Sequence, residues 1–132
     1  MSTNKVTLAI FAPLLLVIGV LGFVIPAESS LTSGTAPYNI FHLAFGVIGV
    51  LVFLTRNDVA ASAFNLVFGL LDLYQFLASK ADLFPEWYFQ WKAADDILHV
   101  VIGAFLVLVG VYGLLTNRPV PVKDRKARPL LH

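Results

Sequence analysis

Two histidines in this chain sit in matching surroundings. Asn39-Ile40-Phe41-His42-Leu43-Ala44-Phe45-Gly46 and Asp96-Ile97-Leu98-His99-Val100-Val101-Ile102-Gly103 share the pattern Asn/Asp-x-x-His-x-x-x-Gly, and each leads into an apolar run. On a helix these positions fall on one stripe, so each segment presents a short polar residue, an imidazole and a glycine along one face. Asp72 is the carboxylate set deepest inside an apolar run. An ionisable group inside a membrane helix is costly and points inward to a partner. His42, Asp72 and His99, with Asn39 and Asp96 above them, therefore form the candidate polar cluster, which Tyr74 and Gln75 are placed to join.

Four kinds of chemistry suit such a cluster. It can be a hydrogen-bonded knot that fixes how helices pack, each interhelical bond being worth about 0.6 kcal/mol and at most about 1.7. Its imidazoles can ligate haem or a chlorophyll axially. Two His and one Asp match the donor set of a divalent metal site, although such a site needs oriented outer partners and open water access. Asp72 with the histidines can also carry protons or a small solute across a membrane. The packing role is sufficient to account for every residue named. Asn39 and Asp95 or Asp96 are expected as helix N-caps, where a side-chain oxygen accepts an orphan backbone N–H.

The elements that must position these groups are legible from hydropathy. Of the 132 residues, 58% are hydrophobic and only 13% charged, whereas soluble domains carry about 25% charged residues. Four apolar stretches, at 6–25, 38–54, 59–78 and 96–115, each match the roughly 17–25 residues that span a hydrocarbon core as a helix. Membrane strands would be shorter and would alternate apolar with polar. The first stretch exceeds a signal-peptide core and is read as an uncleaved helix. Thr55-Arg56-Asn57-Asp58 is short enough to make the second and third helices antiparallel neighbours. The expected domain is residues 1–116, followed by a basic tail over 117–132.

Charge orients the bundle. Lys5, Arg56, Arg118, Lys123, Arg125, Lys126 and Arg128 belong to one set of ends, against Lys80 and Lys92 on the other. Lys and Arg are retained in the cytoplasm, so both termini are expected there. The opposite loop carries Phe84, Trp87, Tyr88, Phe89 and Trp91, aromatic residues that anchor at a membrane interface or dock a partner or lipid. With both histidine helices running the same way, the chain reads as two parallel-repeat helical hairpins related by an axis along the membrane normal. Gly19, Gly22, Gly46, Gly49, Gly69 and Gly103 are the small residues expected to let helices approach.

Several functions are excluded or unsupported. With no cysteine there is no disulfide, thiolate metal site or cysteine nucleophile. There is no phosphate-cradling glycine loop, His-Glu-x-x-His or Gly-x-Ser-x-Gly. The tail's cations lack the interleaved aromatics of a nucleic-acid surface, so no nucleic-acid partner is expected.

At three places the chain resembles a family of small bacterial four-helix membrane proteins of unknown function. These are Gly19-Val20-Leu21-Gly22-Phe23, the Asn-x-x-His-Leu-x-x-Gly segment from Asn39 to Gly46, and Ala93-Ala94-Asp95-Asp96-Ile97-Leu98-His99. The resemblance spans residues 6–115 and implies fold and topology but no activity. The resulting expectation is an all-α, integral membrane four-helix bundle in a bacterial inner (cytoplasmic or intracytoplasmic) membrane. It would be a non-enzymatic structural or accessory protein in contact with lipid and with a membrane-protein partner or further copies of itself. The alternatives are a haem- or chlorophyll-binding protein using His42 and His99, and a proton or solute pathway using Asp72.

Overall fold

A computed structural model describes residues 1–117; the basic tail expected over 117–132 lies, beyond Asn117, outside the described residues. Four long helices dominate: α1 (Thr3–Val24), α2 (Ala36–Leu54), α3 (Asp58–Ala81) and, after the short α4 (Glu86–Phe89), α5 (Ala93–Thr116). No strand occurs among the described residues. All four long helices are long and apolar enough to cross a membrane, which makes this a multi-pass membrane protein by length and composition.

Each long helix begins before its apolar stretch, and at α1, α3 and α5 polar side chains satisfy the backbone groups there. Ser2 accepts from Lys5 N at the start of α1, and Asn57 accepts from Val59 N and Ala60 N at the start of α3. α3 continues to Ala81 and stops where Asp82 takes a left-handed conformation, φ 57°. One expectation is corrected here. Asn39 does not cap α2, which begins three residues earlier with Thr35 at the cap position and Pro37 in its first turn. Neither Asp95 nor Asp96 occupies the cap of α5. Lys92 does, and Asp95 reaches back from the first turn to accept from Lys92 N at 2.9 Å.

α1 packs on α2, and α3 on α5, far more extensively than either pair packs on the other. Glycines line both tight interfaces. Gly19 and Gly46 lie against Leu43 and Leu16, Gly22 against the Asn39 side chain, and Gly49 against Ala12. In the other hairpin Gly69 and Gly103 face one another: a Cβ on Gly69 would come within 2.8 Å of Gly103 O, and one on Gly103 within 3.0 Å of Gly69 O. Only residues without side chains allow two helix backbones that close.

Between the hairpins the arrangement differs. The middle of the seam is apolar, with Leu15, Phe68 and Leu106 buried among Phe11, Phe41, Phe45, Phe64 and Ile102. Phe68 meets the edges of Phe11 and Phe45 at centroid distances of 5.4 and 5.2 Å, a favourable geometry for aromatic pairs. The ends of the seam are polar. At the end that carries the N-terminus, Asn4 Nδ2 donates to Val109 O (2.9 Å), Asn65 Nδ2 donates to Asn4 Oδ1 (2.9 Å), and Lys5 pairs with Asp58 at 3.5 Å. At the other end a second lock is built around Asp95.

Candidate functional site

Asp95 is 1% exposed, and its carboxylate accepts three hydrogen bonds. Tyr38 Oη donates to Oδ1 at 2.7 Å; Ser33 N and Lys92 N donate to Oδ2 at 2.8 and 2.9 Å. This single group thus ties the first inter-helix loop, α2 and the start of α5 together. The loops are stitched further. The Ser33 and Thr35 hydroxyls donate to Phe89 O, and Lys92 Nζ donates to Ala27 O and Ser30 O at 2.6 Å each. Hydrogen bonds to charged groups contribute about 1.5–3 kcal/mol in proteins, so each bond to Asp95 is worth more than one of the neutral amide bonds of Asn4 and Asn65 at the opposite end.

Directly beneath it lies a cavity of about 50 Å³ whose polar walls are Thr32, Tyr38, His42, Asp72, Asp95 and His99, and whose apolar walls include Phe11, Leu15, Phe68 and Ile102. His42, Asp72 and His99, three of the residues singled out in the sequence, therefore share one enclosure. His42 Nδ1 lies 2.7 Å from Tyr38 O one turn earlier on α2. A carbonyl only accepts, so Nδ1 carries the proton, and in the neutral form of the ring Nε2 is an acceptor. The Tyr38 ring also packs against the imidazole, tilted by 40°, with centroids 4.2 Å apart. His99 is held from the loop side by the edge-on contact of Trp91 at 6.0 Å, and its Nδ1 is buried without a partner among the described residues. Asp72 is 4% exposed and makes no hydrogen bond or ion pair with any described residue; its side chain lies over Gly103, which leaves room for it.

The other expected members lie elsewhere. Asn39 is buried against α1, donating to Gly34 O at 2.9 Å and filling the space left by Gly22. Asp96 faces α3, where Lys80 pairs with it at 3.3 Å. Tyr74 and Gln75 line a separate pocket. In their places stand Tyr38 and Asp95. Tyr38 carried a usable signal, one helical turn before His42. Asp95 and its neighbour Asp96 point about 100° apart on the helix, and spacing alone did not choose between them. The buried amides Asn4 and Asn65, which lock the far end, stood inside or beside apolar runs as Asp72 does and were equally legible.

The enclosure sets limits on its contents. About 50 Å³ holds a few water-sized molecules, whereas pockets for organic ligands measure about 300–1,000 Å³. A haem or chlorophyll macrocycle does not fit between His42 and His99. Nor, among the described residues, do three or more His, Asp or Glu side chains converge as a metal-binding group. The lining groups Tyr38, His42, Asp72, Asp95 and His99 suit hydrogen bonding and proton exchange with small polar guests.

In comparisons with known proteins, no family model, no curated protein and no solved structure matches this chain.

Proposed function

We propose that this is a non-enzymatic integral membrane protein, a structural or accessory subunit of a larger bacterial inner-membrane assembly, with both termini in the cytoplasm. The observation that carries the reading is the use made of the buried polar groups. Asn4, Asn65, Tyr38, Ser33, Asp95 and Lys92 are spent on fixing one hairpin against the other, and the enclosure beside them is too small for an organic substrate. Broad apolar faces remain outside, including Ile10, Val17, Leu51, Val101 and Leu108, each more than half exposed. Such faces suit acyl chains and partner helices alike. The test is the mass and composition of the particle isolated from its native membrane in mild detergent. A large particle with stoichiometric partners is expected; a lone chain or a homo-oligomer would refute the accessory role.

One observation favours a second reading. Asp72 faces a water-sized cavity together with two imidazoles and has no partner in the described chain, the arrangement of a site that takes up and releases protons within a membrane. Under this reading Asp72→Asn abolishes proton flux in proteoliposomes while the fold survives. Flux unchanged by the substitution, or absent from the wild-type protein, would dispose of it.

A further inference from the structure

The loose seam between the hairpins leaves two gaps of nearly equal size, one on each side of the bundle. The gap between α1 and α5, about 440 Å³, is walled by Val6, Ile10, Phe11, Leu14, Phe105 and neighbouring apolar groups, with Thr7 the sole polar residue. An acyl chain fills such a groove without further requirement. The gap between α2 and α3, about 450 Å³, is of another kind. Phe41 and Leu71 form its sides, the segment from Phe84 to Phe89 roofs it, and the Gln75 side chain lies in its wall. Tyr74 Oη holds the roof by donating to Phe84 O at 2.6 Å.

Gln75 is 5% exposed, and its amide makes no hydrogen bond with any described residue; Oε1 is buried and unpartnered. A buried amide without a partner is a standing cost that native structures rarely carry unexplained. Leucine at this position would avoid the cost and match the opposite gap. The pocket is reached from outside the bundle, because Tyr74, Phe84 and Tyr88 in its walls are 44–67% exposed. Its volume falls within the range of small-molecule sites, and its lining includes the rings of Phe41, Tyr74, Phe84, Tyr88 and Phe89.

From these features we infer that the gap between α2 and α3 is a binding site for a membrane-dissolved aromatic molecule bearing a phenolic hydroxyl. The aromatic walls offer edges and faces to a ring. A hydroxyl both donates and accepts, so it satisfies the Gln75 amide in either of its two orientations. A phenol donates more strongly than an aliphatic alcohol, and the apolar remainder of the pocket accommodates a hydrocarbon tail. The site goes beyond the accessory role and is independent of it, since neither the cavity at Asp72 nor any partner contributes to it.

The experiment measures equilibrium binding of 4-nonylphenol, nonylbenzene and dodecanol to the full chain in phosphatidylcholine nanodiscs, with empty discs subtracted. Saturable binding of 4-nonylphenol is expected, about fivefold tighter than that of nonylbenzene, the difference that one hydrogen bond makes. Gln75→Leu should erase this preference while leaving nonylbenzene binding in place. Leu71→Trp, which fills the pocket, should abolish binding of both; it serves as the decisive variant if Gln75→Leu fails to fold. Uptake no greater than that of empty discs, equal affinity for 4-nonylphenol and nonylbenzene, a preference that survives Gln75→Leu, or binding that survives Leu71→Trp would each overturn the site. Dodecanol binding as tightly as 4-nonylphenol would overturn the aromatic class of ligand.

Discussion

Asp95 accepts three hydrogen bonds across the seam, whereas Asp72, equally buried, accepts none from the described residues. The two carboxylates should therefore respond unequally to substitution. Asp95→Ala strands the Tyr38 hydroxyl and two backbone N–H groups in a buried place and should cost about 2–4 kcal/mol, given that hydrogen bonds to charged groups carry about 1.5–3 kcal/mol. Asp72→Asn removes no partner and should change stability by less than about 1 kcal/mol. Unfolding in detergent, followed by circular dichroism, separates the two. Equal losses would mean that Asp72 is held by contacts as strong as those of Asp95. At this scale the sequence made the ionisable groups conspicuous, because His42, Asp72 and His99 stand out in apolar surroundings. It did not reveal which of two adjacent aspartates turns inward, since that depends on a helix rotation set by Tyr38 and Ser33 from distant parts of the chain.

The helices of each hairpin meet through glycine, and at Gly69 and Gly103 two glycines face one another. Alanine is the better helix former by about 1 kcal/mol, so Gly69→Ala would stabilise an isolated α3. Here the added methyl would meet the Gly103 carbonyl and Val107 N, each 2.8 Å away, and backbone cannot swing aside as a side chain can. The substitution should instead lower stability by about 1–3 kcal/mol, the usual cost of overpacking. A midpoint of thermal unfolding equal to or above that of the wild type would contradict this packing. The cores of all four long helices were legible as apolar stretches, and the three-residue turn at 55–57 made α2 and α3 consecutive and antiparallel. Their ends were not, because Ser2, Asn57 and Asp95 prolong the helices with polar side chains that a hydropathy profile counts as loop. Nor does hydropathy tell that α2 and α3, neighbours in sequence, are only loosely packed while α1 grips α2 and α3 grips α5.

For the molecule as a whole, the four spans put the N-terminus and the turn at 55–57 at one end and the loops at 25–35 and 82–92 at the other. The proposed orientation puts the first of these ends, the one toward which the sequence's Lys and Arg are biased, in the cytoplasm. The chain has no cysteine, so single introduced thiols report cleanly. In intact cells a membrane-impermeant maleimide should label Glu28→Cys and should reach Asn57→Cys only after lysis. The reverse pattern would invert the orientation.

The division between glycine-packed hairpins and a polar-ended seam bears on how such a molecule is made. Each hairpin can settle in the bilayer on apolar contacts alone, as a helical pair, while the second is still being synthesised. In that half-built state Asn4 lacks Val109 and Asn65, and Tyr38 and Ser33 lack Asp95. The unfinished protein therefore exposes unsatisfied amides and hydroxyls at the ends of its helices, and completion hides them. Membrane quality control that senses stray polarity would have, in this one chain, a chemical marker that separates the orphaned half from the finished whole.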